Sequence, residues 1–274
     1  MSSTQKVAVV IPVYKTQLSD YEKMSIQQCR KVLFNHPIIA LKPETLDLGE
    51  LGSDNIFTGS VSFDPAFFEN VQGYNKLMLS PDFYKQFLGY EYILIYQLDA
   101  FVFKDELLKW CNSGYDYIGA PWPKRLEEPD IVKAFKTRAI TLYHIWKNTF
   151  EDGLPIQRQF DNVVGNGGFS LRRVKKLYNL ATSMQDKVSE YHQRHEHQFH
   201  EDVFWSIEVN RKWHRLRIPS FKTAYKFSIE NNPERGVRFN KGLPFGCHAW
   251  DAPDNLKYWK PILEDLGYEI ILNE

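Results

Sequence analysis

An α/β domain, with helices flanking a central, mostly parallel mixed sheet, is the architecture toward which the order of apolar segments in this chain points. Two observations carry that reading. Lys6 to Val13, KVAVVIPV, and Pro37 to Leu41, PIIAL, are apolar and rich in β-branched residues, and a helical segment separates them. Strand, helix and strand in that order make a βαβ unit with parallel pairing and a right-handed crossover. Tyr92 to Phe103, YILIYQLDAFVF, is nearly continuous apolar sequence, the pattern of a strand buried on both faces.

The first strand ends near Pro12 and opens into a loop around Tyr14 and Lys15. Ser19 with Glu22 three residues on forms a capping box, which predicts a helix through about Leu33. Ser80-Pro81 is a helix start of the cap-then-proline kind, leading to about Leu88. The strand from Tyr92 to Phe103 carries a single ionisable residue, Asp99; residues 105 to 111 then read as helix and Tyr115 to Ala120 as a short strand. From Trp122 to about Gln159 the periodicity is poor and the charge higher, which predicts a surface excursion of loop and helix that could serve as a lid. Gly165 to Leu171 is glycine-rich and then apolar, Val174 to Met184 reads as helix, and Glu201 to Val209 as another after a histidine-rich stretch. Pro244 to Trp250 precedes a last helix from about Asp254 to Leu266. With no repeat, low-complexity tract or linker, residues 1–274 are expected to form one domain.

A chain of 274 residues with 43% apolar content buries a large core. Its 34 basic and 34 acidic residues leave no broad electrostatic footprint for nucleic acid or an anionic membrane, only room for a local basic patch. Cys29, Cys111 and Cys247 are distant and odd in number, which fits neither a disulfide framework nor a paired-thiol metal site and suggests a reducing cytoplasm. The apolar run near the N-terminus is too short for a signal sequence, and no run approaches the roughly 18 apolar residues of a membrane span. Aromatic residues make up 15% of the chain, enough to furnish stacking faces for a sugar or base as well as a Tyr-rich core. Trp122 and Trp250 are candidates for such faces.

In an open α/β sheet ligands bind beyond the carboxyl ends of the strands, which places Tyr14 near Asp99. A carboxylate at the end of a buried strand costs several kcal/mol unless it is paired, hydrogen-bonded or bound to metal. A helix cap or an arginine partner would satisfy Asp99 in the ordinary way. Three unusual segments follow it, however: GNGGFS at 165 to 170, the acidic pair Glu201-Asp202 at a helix start, and His248 within PFGCHAW. The run His192, His195, His197 and His200 invites a zinc reading, but His195-Glu196 has Phe199 four residues on, so HExxH is absent and no third ligand is evident.

In this order the four features, over roughly residues 6 to 250, resemble the shared core of metal-dependent GT-A glycosyltransferases, nucleotide-sugar enzymes built on one Rossmann-like domain. The resemblance implies a nucleotide-binding half at about 6–103 and an acceptor and catalytic half at about 104–274. In that family an Asp-x-Asp motif binds manganese or magnesium, which bridges the donor diphosphate. Here the segment reads Gln97-Leu98-Asp99, leaving Asp99 and His248 as the implied metal ligands, with diphosphate and water completing an oxygen-rich shell. Pro12, Tyr14, Asn75, Lys76 and Gln97 fall in the half that binds the nucleotide, for which a UDP-sugar is favoured. Lys15 or a basic residue of the 122–160 excursion would assist the leaving diphosphate. Gly167 and Gly168 would let backbone amides approach the sugar, although a tight turn is the plain alternative. Asp202 resembles the base that deprotonates the acceptor in inverting enzymes, with Glu201 orienting the acceptor or pairing with a basic neighbour; simple helix capping would also use these acids. The implied acceptor is a glycan or lipid-linked glycan, in the synthesis of bacterial surface glycans by a cytoplasmic protein with peripheral contact to the inner face of the membrane.

Two other functions compete. A sugar nucleotidyltransferase needs a glycine-rich, basic loop directly after the first strand, and Tyr14 to Leu18, YKTQL, has no glycine. A non-catalytic carbohydrate-binding protein would explain the aromatic content and the missing first Asp, and would leave Asp99 and His248 without a role.

Overall fold

The computed structural model describes residues 4–53, 56–124 and 131–270. Strand β1 (Gln5–Pro12) enters the core at Val7, and Ser19 then caps α1 (Asp20–Leu33) with both bonds of the expected capping box in place. β2 (Ile38–Pro43) completes the βαβ unit and pairs with β1 in parallel, Val9 opposite Ile38. A single turn, α2 (Glu50–Ser53), leads to β3 (Gly59–Phe63) at the sheet edge, half exposed and polar, and therefore invisible to a search for apolar runs. α3 (Val71–Leu79), capped by Asn70, and α4 (Pro81–Lys85), capped by Ser80, precede β4 (Tyr90–Tyr96).

The central sheet has the order β3-β2-β1-β4-β11-β6. Its first four strands are parallel; β11 (Phe169–Arg173) runs antiparallel to β4 and to β6 (Tyr117–Ile118), so the sheet is mixed as expected. β1 and β4 lie side by side in parallel, with Val10 opposite Ile95, so their carboxyl ends open on the same edge. The antiparallel β11 brings its amino end to that edge too: Phe169 faces Tyr96, and the Gln97 amide donates to Gly168 O at 2.8 Å.

One expectation needs correction here. Tyr92 to Phe103 is not one strand, because after Tyr96 the chain makes a turn closed by the Ala100 amide on Gln97 O (2.9 Å) and leaves the sheet. β5 (Phe101–Val102) belongs to a second, three-stranded sheet with β13 (Gly246–Cys247) and β12 (Ser228–Ile229). Both halves of the run are buried, so the apolar pattern resumes unchanged after the break, at which only Gln97 and Asp99 are polar.

Between the sheets run α5 (Leu107–Asn112), a pairing of β7 (Pro121–Trp122) with β10 (Val163–Val164), and the excursion. The excursion consists of the 17-residue α6 (Ile131–Lys147) and a hairpin of β8 (Phe150–Glu151) and β9 (Leu154–Pro155), its residues 125–130 lying outside the described ones. After β11 come α7 (Val174–Ser183) and α8 (Gln185–His192). α9 (Glu201–Val203) continues directly into a π-helical turn at Phe204–Glu208; α10 (Phe221–Phe227), α11 (Pro233–Asn240) and α12 (Pro253–Asp265) complete the chain.

The faces of the main sheet bury two apolar clusters, one with α3, α4, α7 and the 203–209 segment, the other with α1 and α5. Tyr92 to Tyr96 are fully buried, and burial of each such side chain contributes ~1.5–3 kcal/mol. That core fixes the carboxyl ends of β1 and β4, and with them the cleft above.

Candidate active site

A cleft of about 690 Å³ opens at the carboxyl ends of β1 and β4. The turn between β4 and β5 supplies Gln97 and Asp99, Glu230 follows β12, and His248 follows β13. Because β12 and β13 are parallel neighbours, Ile229 opposite Cys247, the residues after them emerge together, and the His248 amide donates to Ile229 O (3.0 Å). The Trp250 amide donates to Asp99 O (3.2 Å) and ties the same corner to the β4–β5 turn.

His248 is the hub of this corner. Its Nε2 faces Asp99 Oδ1 and Gln97 Oε1, both at 3.1 Å; its Nδ1 faces Asn166 Nδ2 at 2.9 Å and Glu230 Oε1 at 3.4 Å. Burial lowers the affinity of the imidazole for a proton, but Asp99 and Glu230 outweigh burial and raise its pKa above the ordinary value. Burial likewise works against the Asp99 carboxylate, and His248 reverses it, holding Asp99 below its usual range. Asn166 adopts φ 63°, and its Oδ1 accepts from the Phe169 amide (3.2 Å), which turns its amide nitrogen toward the imidazole.

The acidic pair lies across the cleft at the start of α9. Glu201 is buried and bonds Arg172 of β11 at 2.8 Å, and Arg172, fully buried, also donates to Ser170 Oγ and to the Tyr84 hydroxyl. Asn75 of α3 accepts the Glu201 amide (3.0 Å) and fixes the helix start. Asp202, half-buried, accepts the Val203 amide. Burial first, then the charges of Glu201 and Glu230, push Asp202 up from 3.8 to about 7. Two acids adjacent in sequence thus differ in setting: Glu201 is paired with a buried guanidinium, whereas the Asp202 carboxyl is raised to near neutral pH.

Of the sequence candidates, Pro12, Tyr14, Asn75, Gln97, Asp99, Gly167, Gly168, Glu201, Asp202 and His248 all line this cleft. Lys76 does not. It is exposed on the other side of α3, where it lines a shallow hollow with Gln72 and His192, because residues adjacent on a helix face about 100° apart. The glycines also make room within the site. A Cβ on Gly167 would meet Glu201 Oε1 at 2.0 Å, and one on Gly168 would meet His248 Nε2 at 2.0 Å. The space they leave is filled by the carboxylate and the imidazole, so the glycines admit the site's own side chains. Lys15 reaches the cleft but is engaged with Glu22 at 2.9 Å. No described residue of the 122–160 excursion lines the cleft, so neither a lid nor an assisting cation comes from there among the described residues. Trp250 is fully buried against Tyr21 and Phe101, and Trp122 packs on Phe160; neither offers a face to the cleft. Among the histidine run only His200 lines the cleft.

Sequence reasoning missed Arg172, Asn166, Glu230 and Asp251. Arg172 had a signal, a cation inside the apolar strand FSLRR, which must find a buried partner. Asn166 sits in the glycine motif already singled out, whereas Glu230 and Asp251 look like ordinary loop acids.

The cleft is strongly acidic, with Glu22, Glu69, Asp99, Glu201, Asp202, Glu230 and Asp251 on its walls. Gln97 Oε1 and Asp99 Oδ1 each lie 3.1 Å from His248 Nε2, but among the described residues no group of three His, Cys, Asp or Glu converges as a metal cluster. This donor set fits a divalent cation that takes its remaining ligands from a bound molecule, not one held by the protein alone.

The architecture defines a class. Among solved structures, a galactosyltransferase, LgtC, in complex with donor and acceptor sugar analogues is similar at TM-score 0.57 and 12% identity, over 97% of this chain and 98% of that one. The apo form of the glycosyltransferase GlyE of Streptococcus pneumoniae TIGR4 is similar at TM-score 0.47 and 12% identity over 90% of this chain, which spans 54% of that one. Mouse xyloside xylosyltransferase 1 is similar at TM-score 0.48 and 9% identity, over 89% of this chain and 97% of that one. On its likeness to LgtC, the α/β fold, with its six-stranded mixed sheet, is the GT-A fold. A family model described as Protein of unknown function (DUF5672) matches residues 58–248, and the chain belongs to that family. No curated protein matches it.

Proposed function

We propose that this cleft transfers a sugar from a nucleotide-diphosphate donor to an acceptor hydroxyl, with Asp202 as the base. The observation that carries the reading is the pairing, in one cavity, of a cation-competent corner at Gln97, Asp99 and His248 with an Asp202 carboxyl raised to about 7. An acid near neutrality binds a proton weakly enough to release it and strongly enough to accept one from a hydroxyl.

A divalent metal is part of this reading. Asp99 and His248 would hold it with the Gln97 carbonyl oxygen in reach, and His248 must give up its Nε2 proton to do so. When bound, the ion supplies positive charge beside a leaving diphosphate. The acidic walls support this requirement, since a diphosphate entering among seven carboxyl groups is repelled unless cations accompany it. Tyr14, 51% exposed at the cleft mouth, offers a ring face to a nucleobase. Glu201 is held by Arg172 and acts through its neighbour: after burial, its charge and that of Glu230 keep Asp202 raised.

Incubation with nucleotide sugars, UDP-sugars first, and manganese tests the proposal by release of the nucleoside diphosphate. Release that requires an added glycan or lipid-linked glycan acceptor, and that Asp202→Asn abolishes, is the expected result. Turnover in Asp202→Asn at the wild-type rate would remove the base from the scheme.

A further inference from the structure

Helix α6 has its apolar stripe on the outside. Val132, Phe135, Ala139, Leu142, Tyr143 and Trp146 are all exposed, Val132 at 78% and Phe135 at 76%. At about 100° per residue these six fall within an arc of about 100° on one side of the helix. The opposite side holds α6 to the domain: Thr141 is buried, and Ile145 packs against the core cluster beneath the main sheet. The helix is therefore amphipathic toward solvent rather than only toward its own core.

Its charges are of one sign. Lys133, Lys136, Arg138 and Lys147 lie within α6, and no acidic residue does. Lys133, Lys136 and Lys147 fall on one flank of the apolar arc and Arg138 on the other. At the C-terminal end, Lys212 sits over the Trp146 ring at 4.5 Å, and the next residue, Trp213, is 73% exposed. The acids that precede the helix in the sequence, Glu127, Glu128 and Asp130, lie outside the described residues.

We propose that α6, with Lys212 and Trp213, is a docking surface for an anionic lipid bilayer. Aromatic and aliphatic side chains edged by lysines and arginines suit the boundary between acyl chains and negatively charged headgroups, where rings enter and cations meet phosphates. Among the described residues no helix is long and apolar enough to cross a membrane, and the contact proposed is one of lying on the surface. A second copy of the chain is a poor occupant: two α6 faces brought together would place like charges opposite each other with no acidic residue in either helix. The proposal stands apart from the glycosyl-transfer reading, since no α6 residue lines the cleft.

The test is co-sedimentation of the full chain with vesicles of phosphatidylcholine alone and of phosphatidylcholine mixed with phosphatidylglycerol. Binding to the mixed vesicles only, weakened by salt, is expected. Phe135→Ser with Trp146→Ser should abolish it, and Lys136→Gln and Lys147→Gln should each weaken it about fivefold. All four side chains are on the surface of α6, so unchanged melting midpoints would show that the variants remain folded. No binding to the mixed vesicles, or binding that the Phe135/Trp146 pair leaves intact, overturns the proposal. A concentration-dependent dimer dissolved by the same pair would make the face a protein interface and overturn it equally.

Discussion

Asp202→Asn should stabilise the protein at alkaline pH while removing its activity. In the folded chain the Asp202 carboxyl is raised from 3.8 to about 7 by burial and by Glu201 and Glu230, whereas the unfolded chain returns it to its ordinary value. Between those values the folded state binds a proton that the unfolded state has lost, so stability falls as pH rises from about 4 to about 7 and stays low above that. The difference of about three pH units, at ~1.4 kcal/mol each, sets an upper bound of ~4 kcal/mol on the cost at pH 8. Asparagine keeps the oxygen that accepts the Val203 amide (2.8 Å) and never ionises, so it escapes that cost. At ~2–4 °C per kcal/mol, the melting midpoint of the variant should exceed wild type by several degrees at pH 8, and the gap should shrink toward pH 4. Thermal melts across that range decide it. Equal midpoints at pH 8, or a gap that does not depend on pH, would refute the claim that Asp202 is held protonated by its surroundings.

Gly168→Ala should disable the cation-competent corner, because its Cβ would lie 2.0 Å from His248 Nε2 and 2.6 Å from Gln97 Oε1. A loss of ~1–3 kcal/mol in stability is expected by denaturant titration, together with loss of metal-dependent nucleotide binding, whereas Gly89→Ala, with nothing within 4 Å, should be neutral in both. Arg172→Met should cost ~3–5 kcal/mol by leaving Glu201 charged and buried without its partner, and the double variant with Glu201→Met should recover much of that in a double-mutant cycle. Lys76→Ala should leave nucleotide affinity unchanged, measured by titration calorimetry, since Lys76 lies outside the cleft.

The parts of the fold that sequence revealed are those whose physics is local. The Ser19–Glu22 box and the βαβ unit follow from capping and from apolar periodicity within a few residues. The break at Gln97 was hidden because both sides of it are equally buried, and β3 because an edge strand needs no apolar pattern. The site divides in the same way. Asp99, His248 and the Glu201-Asp202 pair stood out against apolar or glycine-rich surroundings, and the structure brings them into one cleft. The asymmetry within the acidic pair was not legible, because it depends on Arg172, which is 29 residues away and reaches Glu201 only when β11 takes its place beside β4. Lys76 went the other way: it neighbours a cleft residue in sequence, but the helical turn carries it outside.

The central claim is that nucleotide and divalent cation bind together at Gln97, Asp99 and His248, and thermal unfolding with UDP, GDP, CMP and dTDP in manganese, magnesium or EDTA tests it most directly. The account predicts a rise in melting midpoint with one nucleoside diphosphate and metal, little with either alone, and none in Asp99→Ala or His248→Ala. A shift that survives EDTA, or that both variants retain, would contradict it.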